Sequence, residues 1–416
     1  MTFDRKPIQV EDALAQVMAY SRPGRGETVY LQEADQRVLK EDIVASHPIP
    51  PFDKSPYDGF AFRSIDTAGA TSDNPAVFNV IEQVGAGSRA SRPVYEGEAV
   101  RIMTGAEIPE GADCVAMFEI CHVLGQDGST MRIKRKMDEG HNIMVKGSET
   151  AEGERLVEKG TMINPGVKAL LATFGYAEVN VIQKPIIGLF ATGSELLEVD
   201  EPMQPGKIRN SNAYMIASQI KRSGAEVKDY GTLVDDFDTS FQAVKQAIQE
   251  VDILITTGGV SVGDFDLMPA IYAELEADLL FNKIAMRPGS VTTAAVKDQT
   301  LLFGLSGNPS ACYVGFELFV FPVIQNQLGK PRSSHRRIQA ELGADFPKPN
   351  PFTRFVRSSV RYHKGKVMVD PAGMDKSAVV TSLARSDSLI ILPGGTRGYQ
   401  KGDEVEALLL EDDTNL

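Results

Sequence analysis

The sequence predicts a multidomain protein of the α/β plus β class, and three regions of different pattern lead to that prediction. Strands alternate with helices from about residue 185 to residue 330, which is typical of a mostly parallel sheet with right-handed crossovers. Short apolar runs separated by Gly, Pro and Asp indicate β-rich modules at 57–144 and after Gly329. A chain of 416 residues has the length of two or three domains of roughly 150 residues each.

The N-terminal region is predicted to begin with a helix. Val10, Leu14 and Val17 recur with a period of about 3.6 residues, and the segment SRPGRGE ends the pattern. Two short extended pieces follow, and the proline-rich HPIPPFDKSP then predicts a constrained connection. Helical periodicity returns at 167–174 and ends at Gly175, a residue typical of a helix C-terminus.

The α/β region contains strands that each run into a loop and then a helix. The predicted strands are IIGLFATG, EVKDYGTLV, DILITTGG and LLFGLSGNP, and the helices are SNAYMIASQIKRSG, FDTSFQAVKQAIQEV, DLMPAIYAELE and the apolar PSACYVGFELFVFPVIQNQL. Sheets of this class bind ligands at the carboxyl ends of their strands, so the candidate site is expected in these loops. The C-terminal strands RRIQAEL, TRFVRSSVRYH, KVMVD, SLIILPGG and DEVEALLL predict a compact all-β domain.

Composition argues against a general nucleic-acid or membrane partner. The 43 basic and 56 acidic residues give a net charge of −13, and an acidic protein is repelled by polyanions and anionic lipid. The chain has no Trp and only 7% aromatic residues, so platforms for stacking bases are not expected. A local basic patch remains compatible with an anionic small molecule.

The cysteines and the apolar stretches predict a cytoplasmic protein. Cys114, Cys121 and Cys312 form no CxxC pair, which fits a reducing compartment rather than a disulfide framework. The N-terminus lacks the apolar core of a signal peptide, and the most apolar stretch, 311–324, is shorter than the ~20 residues that span a bilayer. The five histidines show no zinc-binding spacing, so catalysis that depends on histidine is not expected.

The segment TTGGVSVGDFD, from Thr256 to Asp266, is the most informative motif. Its glycines allow close approach of a ligand to backbone N–H groups, which suits a phosphate or another oxyanion. It matches neither the dinucleotide-binding G-x-G-x-x-G nor the P-loop pattern. A plain glycine turn after a strand is the alternative, but Asp264 and Asp266 favour a site in which a cation lies between carboxylates and anion.

Three acidic residues follow successive strands of the predicted sheet. They are Glu195 in ATGSEL, Asp235 in VDD and Asp266. Carboxylates that converge on one sheet edge repel one another unless a cation lies between them, and Mg²⁺ is the metal that this donor chemistry favours. The neighbouring Asp236 is better explained as a helix N-cap.

Other polar loops have adequate structural explanations when each is considered alone. Ser306, Asn308 and Ser310 open a helix, where they would bind an anion or simply cap the helix. Asp58 and Thr104 lie beside glycines in polar segments of the β-rich module. Each segment, considered without the rest of the sequence, is best explained as a structural turn.

Taken together, the motifs resemble the molybdopterin molybdenumtransferase family, the MoeA type that is related to the gephyrin E domain. The motifs PPFDKSPYDGFAFR, RIMTGAEIPEGADCVAM, ATGSELL, TTGGVSVGDFD, AMRPGS, LSGNPSACY and PGGTRGY occur in the family's order and extend over essentially the whole chain. Several independent motifs in order are a far more specific signal than any one loop.

The resemblance implies a fold of four parts in an elongated homodimer. An N-terminal discontinuous domain (1–51 and 145–184) would carry an inserted β-rich domain (52–144). A molybdopterin-binding α/β domain (185–330) and a C-terminal β-barrel (331–416) would follow. The active cleft would lie between the α/β domain of one subunit and the N-terminal region of the other.

The resemblance also implies a reaction. The family inserts molybdenum from molybdate into adenylylated molybdopterin and releases AMP with the help of Mg²⁺. Matched motif by motif, the implied catalytic residues are Asp58, Thr104, Glu195, Asp235 and Asp266, the last three of which would hold the metal. A molybdopterin adenylyltransferase and molybdoenzymes are the expected protein partners.

The implied substrate contacts include departures from the family pattern. Lys283 keeps a family lysine, Arg287 stands where many members have lysine, and Ser290 replaces a lysine implicated in molybdate binding. Ser306 and Ala311 replace a proline and a serine of the family's LPGNPVS. The implied substrate-binding residues are Gly258, Gly259, Ser261, Lys283, Arg287, Ser290, Asn308, Ser310, Arg357 and Ser377.

Two other functions remain alternatives at this point. A non-catalytic scaffold of the same fold would anchor partner peptides, but it has no need of a costly cluster of carboxylates. A molybdopterin adenylyltransferase would use a related α/β domain, and the additional N- and C-terminal regions favour metal insertion instead.

Overall fold

The computed structural model describes residues 6–124, 128–259, 267–349 and 351–410 of the chain. They form two compact units, of which the first comprises Met1–Lys40, Gly160–Ile163 and Val179–Leu416 and the second comprises Glu41–Lys159 and Asn164–Glu178. The second unit is therefore inserted into the first along the sequence. Within the described ranges, no helix has both the length and the apolar character that a membrane span requires.

The first unit opens with helix α1 (Val10–Ala19) and strand β1 (Gly26–Tyr30), and the second unit follows. The elements of the second unit are β2 (Ile43–Val44), β3 (Gly59–Phe62), β4 (Ala76–Val84), β5 (Glu98–Ile102), β6 (Cys114–Met117), β7 (Cys121–Leu124), β8 (Thr130–Ile133), β9 (Arg155–Val157) and α2 (Pro165–Thr173). Six of these strands form one sheet in the order β6-β3-β5-β4-β8-β7, over a core that contains Phe60, Phe62 and Phe78. The β-rich character predicted for residues 57–144 is thereby confirmed.

The α/β part of the first unit extends to the end of a long helical segment. It follows β10 (Glu178–Ile182), which pairs with β1 in a separate two-stranded sheet. Its elements are β11 (Ile186–Thr192), β12 (Leu196–Leu197), β13 (Ile208–Arg209), α3 (Ser211–Arg222), β14 (Glu226–Leu233), α4 (Phe237–Ala247), β15 (Ile253–Thr257), α5 (Met268–Glu274), β16 (Asp278–Phe281), β17 (Met286–Arg287), β18 (Thr293–Lys297), β19 (Thr300–Leu305), α6 (Pro309–Gly315) and α7 (Phe321–Gln327).

A six-stranded sheet in the order β14-β11-β15-β19-β18-β16 forms the centre of this part. The first four strands are parallel, whereas β18 and β16 join in antiparallel pairings. Alternate residues of β15 enter different apolar clusters, Ile253 and Ile255 on one face and Leu254 on the other. Both faces of the sheet are therefore covered, as expected for a mostly parallel sheet.

The register of the parallel strands places four loops at one edge. Thr192 of β11 pairs with Leu233 of β14, Ala191 pairs with Thr257 of β15, and Thr257 pairs with Leu305 of β19. The chain leaves all four strands at this level, so the segments after Thr192, Leu233, Thr257 and Leu305 meet at the carboxyl edge.

The predicted long apolar helix is helical throughout but changes its winding. A π-helical turn, Phe316–Val320, separates α6 from α7. Pro322 at the start of α7 lacks an N–H group and cannot make the α-helical bond to the carbonyl of residue 318. A wider turn before the proline accommodates this missing donor.

The C-terminal strands close into a barrel. They are β20 (Arg336–Leu342), β21 (Thr353–His363), β22 (Lys366–Pro371), β23 (Ser388–Leu392) and β24 (Glu404–Leu409). They pair in the order β21-β22-β20-β24-β23, and β23 pairs again with β21 to close the ring. The predicted all-β C-terminal domain is therefore a five-stranded barrel.

Candidate active site

A cavity of about 850 Å³ opens at the carboxyl edge of the six-stranded sheet. Its walls come from the four strand-to-loop segments and from the start of α3. The polar lining residues include Thr192, Ser194, Glu195, Arg209, Asn210, Asn212, Asp235, Thr257, Ser306 and Asn308. The structure thus collects residues that are more than 100 positions apart in the sequence.

Glu195 lies on the loop after β11 and is exposed to the cavity. Gly193 has a φ of +143°, and a Cβ atom built there would stand 2.5 Å from the Oε2 atom of Glu195. A glycine is therefore needed for the carboxylate to fold back over the loop. The backbone carbonyl of Glu195 accepts a hydrogen bond from the N–H of Ile208 at 3.0 Å, which fixes the loop against β13.

Asp235 and Asp236 have different roles although they are neighbours. Asp236 is the N-cap of α4, and its side chain accepts hydrogen bonds from the hydroxyl and the N–H of Thr239. These two bonds lower the pKa of the Asp236 carboxyl from its ordinary value. Asp235 is exposed and lines the cavity. The prediction that Asp236 caps the helix is confirmed.

The loop after β15 brings backbone close to the cavity. Gly258 and Gly259 have φ values of +89° and +63°, a region that favours glycine. A Cβ atom on Gly258 would stand 2.7 Å from the carbonyl oxygen of Thr192, so the close approach of the two strand ends requires glycine there. The predicted residues Ser261 and Asp266 lie outside the residues that the structure describes.

The loop after β19 is held by its neighbours. Asn212 donates from Nδ2 to the carbonyl of Gly307 at 2.8 Å, and the hydroxyl of Ser306 accepts from the N–H of Asn308 at 3.2 Å. Asn308 occupies the N-cap position of α6, yet its side chain makes no capping hydrogen bond and is exposed at the cavity. The side chain of Asn308 is thus available to a ligand.

Ser310 and Ser377 are brought together but away from the cavity lining. The N–H of Ser310 donates to the carbonyl of Ser377 at 3.0 Å, and the buried Ser310 hydroxyl donates to the carbonyl of Val379. These bonds attach a loop of the barrel to the start of α6. The Ser310 hydroxyl already has an acceptor for its proton in this arrangement.

Arg357 is buried in the barrel and holds the same loop. Its Nε donates to the hydroxyl of Ser382 at 2.8 Å, and its Nη2 donates to the carbonyls of Met374 at 3.1 Å and Lys376 at 3.4 Å. Burial lowers the pKa of the Arg357 guanidinium. Its Nη1 atom is buried without a hydrogen-bond partner in the described part of the chain, so one strong donor is left unused.

The predicted residues around β17 lie on one segment next to the barrel. The carbonyls of Lys283 and Ser290 accept backbone hydrogen bonds from Ile8 and Ile284, and Arg287 pairs in register with Arg354 of β21. Arg287 is exposed, whereas Lys283 and Ser290 are half-buried. None of the three is among the residues that line the described cavity.

Asp58 and Thr104 meet in the second unit. One carboxylate oxygen of Asp58 accepts from both the N–H and the hydroxyl of Thr104, each at 2.7 Å. These hydrogen bonds, the backbone one foremost, lower the pKa of the Asp58 carboxyl from its ordinary value. The two residues are 46 positions apart in the sequence, so the prediction from separate turns could not show that they form a pair.

The sequence did not single out Arg209 and Asn212, which also line the cavity. Both belong to the segment KIRNSN, which contains β13 and the first two residues of α3, and only the position of that segment after a strand end could have indicated them. In the described residues no three acidic, histidine or cysteine side chains gather as a metal cluster. Glu195 and Asp235 are the carboxylates that the described cavity offers.

Models of three domain families match successive parts of the chain. The MoeA N-terminal region (domain I and II) matches residues 8–175, a probable molybdopterin binding domain matches 188–326, and the MoeA C-terminal region (domain IV) matches 339–410. The cavity described above lies within the part that matches the second of these models.

Known proteins resemble the chain over nearly its whole length. It is 54% identical to the molybdopterin molybdenumtransferase of Bacillus subtilis, over 98% of this chain and 95% of that protein. It is 48% identical to the enzyme of the same name from Staphylococcus aureus, over 98% and 97% of the two chains. The molybdopterin biosynthesis MoeA protein from Pyrococcus horikoshii has a similar structure, with a TM-score of 0.84, 28% identity and coverage of 98% of this chain and 100% of that one. The chain therefore belongs to the molybdopterin molybdenumtransferase (MoeA) family.

Proposed function

We propose that this protein inserts molybdenum from molybdate into adenylylated molybdopterin and releases AMP. The observation that carries the proposal is the 54% identity over 98% of the chain with a protein named for that transfer. The cavity at the carboxyl edge of the sheet supports it, because the glycine loop and carboxylates there suit the cleavage of a phosphoanhydride.

The chain's own residues bind and orient the anhydride. Gly258 and Gly259 line the cavity, where the N–H of Gly258 already donates to the carbonyl of Leu305 at 2.9 Å. The exposed amide of Asn308 adds a donor and an acceptor at the same wall. Asp58, whose pKa is lowered, accepts both hydrogen bonds from Thr104 on one carboxylate oxygen, and its other oxygen accepts a hydrogen bond from a substrate group. Their assignment to catalysis remains part of this proposal.

Mg²⁺ is the proposed cofactor, and the residues present fit it. Glu195 and Asp235 are exposed carboxylates at one cavity, and their side chains make no hydrogen bond or ion pair within the described residues. Mg²⁺ is commonly held by one or two carboxylates together with substrate phosphates. When bound it would neutralise negative charge on the phosphate oxygens. Asp266 is the third proposed ligand.

Molybdate is the second substrate, and we assign its contacts to the region where the barrel meets β17 and α6. Arg287 is an exposed cation there, and the Nη1 of Arg357, which has no hydrogen-bond partner among the described residues, is a donor in need of an acceptor. The remaining proposed contacts are Lys283, Ser290, Ser310 and Ser377. The hydroxyl of Ser310 would have to leave the carbonyl of Val379 in order to donate to an oxyanion.

The assay that tests the function is AMP release by the purified protein. Adenylylated molybdopterin, molybdate and Mg²⁺ should give AMP, whereas molybdopterin with ATP should give no adenylylated product. The reverse result would show an adenylyltransferase, and no reaction in either mixture would favour a scaffold. The matches to both terminal MoeA regions argue against an adenylyltransferase, and the 54% identity with a protein named for the transfer argues against a scaffold.

We further propose that the protein is a homodimer whose clefts draw residues from both protomers. A heterodimer of Asp58→Ala and Asp235→Ala protomers would contain one cleft with both residues intact and one with neither. It should therefore show about half of the wild-type rate of AMP release, because one cleft in two is complete. Each variant homodimer should be inactive, and an inactive heterodimer of verified composition would argue for clefts formed within one chain.

The remaining parts of the proposal concern domains and partners. The four-domain division at 1–51 with 145–184, 52–144, 185–330 and 331–416 is retained as a prediction. A molybdopterin adenylyltransferase would supply the substrate, and molybdoenzymes would receive the product in the cytoplasm. Co-purification with either class of protein is the measurement that bears on the partners.

A further inference from the structure

The charges around the cavity do not match the charge of the proposed substrate. Glu195 and Asp235 contribute two negative charges, and Arg209 is the one basic residue among the described residues that line the cavity. Adenylylated molybdopterin carries a phosphoanhydride, so an anion would enter a cavity whose described lining is net negative, and a bound Mg²⁺ would do little more than balance the two carboxylates. A charged ligand in a partly dry cleft needs a fixed opposite charge.

The guanidinium of Arg209 is held in place at the cavity wall. Its Nε donates to the carbonyl of Val199 at 3.0 Å, and its Nη2 donates to the carbonyl of Glu201 at 3.1 Å. Its Nη1 makes no hydrogen bond within the residues that the structure describes, and the side chain is exposed. A planar group fixed along one edge loses little further freedom when its other edge binds an oxyanion.

We infer that Arg209 binds the phosphoanhydride oxygens of the substrate. This inference rests on the proposed function, since it takes adenylylated molybdopterin as the ligand. The Nη1 edge supplies charge-assisted hydrogen bonds to the anion, while the Nε and Nη2 contacts hold the loop that carries Val199 and Glu201. Arg209 thus contacts the substrate through one edge of its guanidinium and the backbone of the cavity wall through the other.

Lys207 provides a matched control within the same loop. Its Nζ donates to the carbonyl of Ser194, so it too carries a positive charge and fixes backbone of this wall. It does not belong to the described cavity lining. Replacing either residue removes one charge and a loop contact, but only the change at Arg209 removes a cation from the cavity.

The test measures the dissociation constant of adenylylated molybdopterin in the absence of molybdate, so that turnover does not contribute. Arg209→Gln should weaken binding roughly ten- to hundred-fold, the size of a lost charge-assisted contact. Arg209→Lys should lose less, because a point charge remains without the planar fork. Lys207→Gln should change the constant by less than about fivefold, as exposed contacts do.

The dependence of binding on salt concentration distinguishes a direct contact of Arg209 with the substrate from a role of Arg209 in holding the loop. Wild-type binding should weaken as salt screens the attraction, and Arg209→Gln should show a clearly smaller dependence on salt than Lys207→Gln. Equal affinities and equal salt dependence for these two variants would overturn the inference while leaving the proposed function intact. A wild-type protein that does not bind adenylylated molybdopterin would overturn both.

Discussion

Replacing Asp235 by asparagine should lower the rate of AMP release at least about a hundredfold, because the charge stabilisation lost with a bound metal amounts to several kcal/mol. The amide keeps the shape of the carboxylate but removes its charge. Asp235 is exposed at the cavity, and no contact in the described structure depends on its charge, so the fold should be retained. Glu195→Gln should behave in the same way. A Mn²⁺ titration followed by electron paramagnetic resonance should show weakened metal binding in both variants.

The neighbouring residue supplies the control for this experiment. Asp236→Asn makes the same chemical change one position along the chain, and asparagine is as good a helix N-cap as aspartate. Its rate of AMP release and its Mn²⁺ affinity should therefore stay close to wild type. The assignment of Asp235 to the metal is wrong if the two variants retain similar activity, or if wild-type activity persists after removal of divalent metal.

The fold could be predicted because each region has a local signal that its packing reinforces. Strand β15 consists of apolar and β-branched residues and is buried on both faces. A continuous run such as DILITT predicts a strand of this kind. The five C-terminal strands alternate or cluster their apolar residues in the same recognisable way. The π-helical turn before Pro322 was not predicted, because the pattern of apolar residues does not report how a helix accommodates a missing donor.

The candidate site was predictable only where a residue follows a strand end directly. Glu195 and Asp235 do so, and parallel register alone brings their loops to one edge. Arg209 comes from the segment between β11 and α3, where its side chain bonds to the carbonyls of Val199 and Glu201, and no periodic pattern in the sequence reports those contacts. Ser310 illustrates the opposite case, since only three-dimensional structure shows that its hydroxyl bonds to the carbonyl of Val379.

A second group of charges lies in the core, away from the cavity lining. Glu317, on the π-helical turn, has a fully buried side chain that accepts hydrogen bonds from Arg222 and Gln219 of α3. Its other oxygen lies 2.7 Å from the Nε2 atom of His335, which stacks on Phe321 and precedes the first barrel strand. Burial alone raises the pKa of the Glu317 carboxyl, but the bond with His335 and the charge of Arg222 outweigh it, so the net shift is downward.

Glu317→Gln should lower the free energy of unfolding by about 3–5 kcal/mol near neutral pH, the cost of breaking a buried ion pair by removing one partner. The thermal midpoint should fall by several degrees in calorimetry. Because the pKa of Glu317 is lowered in the folded state, its contribution is complete above its ordinary value of 4.5 and is lost as the pH falls through the lowered value. The difference between wild type and variant should therefore narrow on acidification.

The control for this substitution is Glu250→Gln in the same α/β part. Glu250 pairs with Lys228 at the surface, where an ion pair contributes at most about 1 kcal/mol, so its midpoint should barely move. The loss of stability should be larger for Glu317→Gln, because Arg222 and His335 then lose the carboxylate that they share inside the protein. Equal midpoints for the two variants at neutral pH, or a difference that widens in acid, would contradict the view that ionised Glu317 joins α3 to the segment entering the barrel.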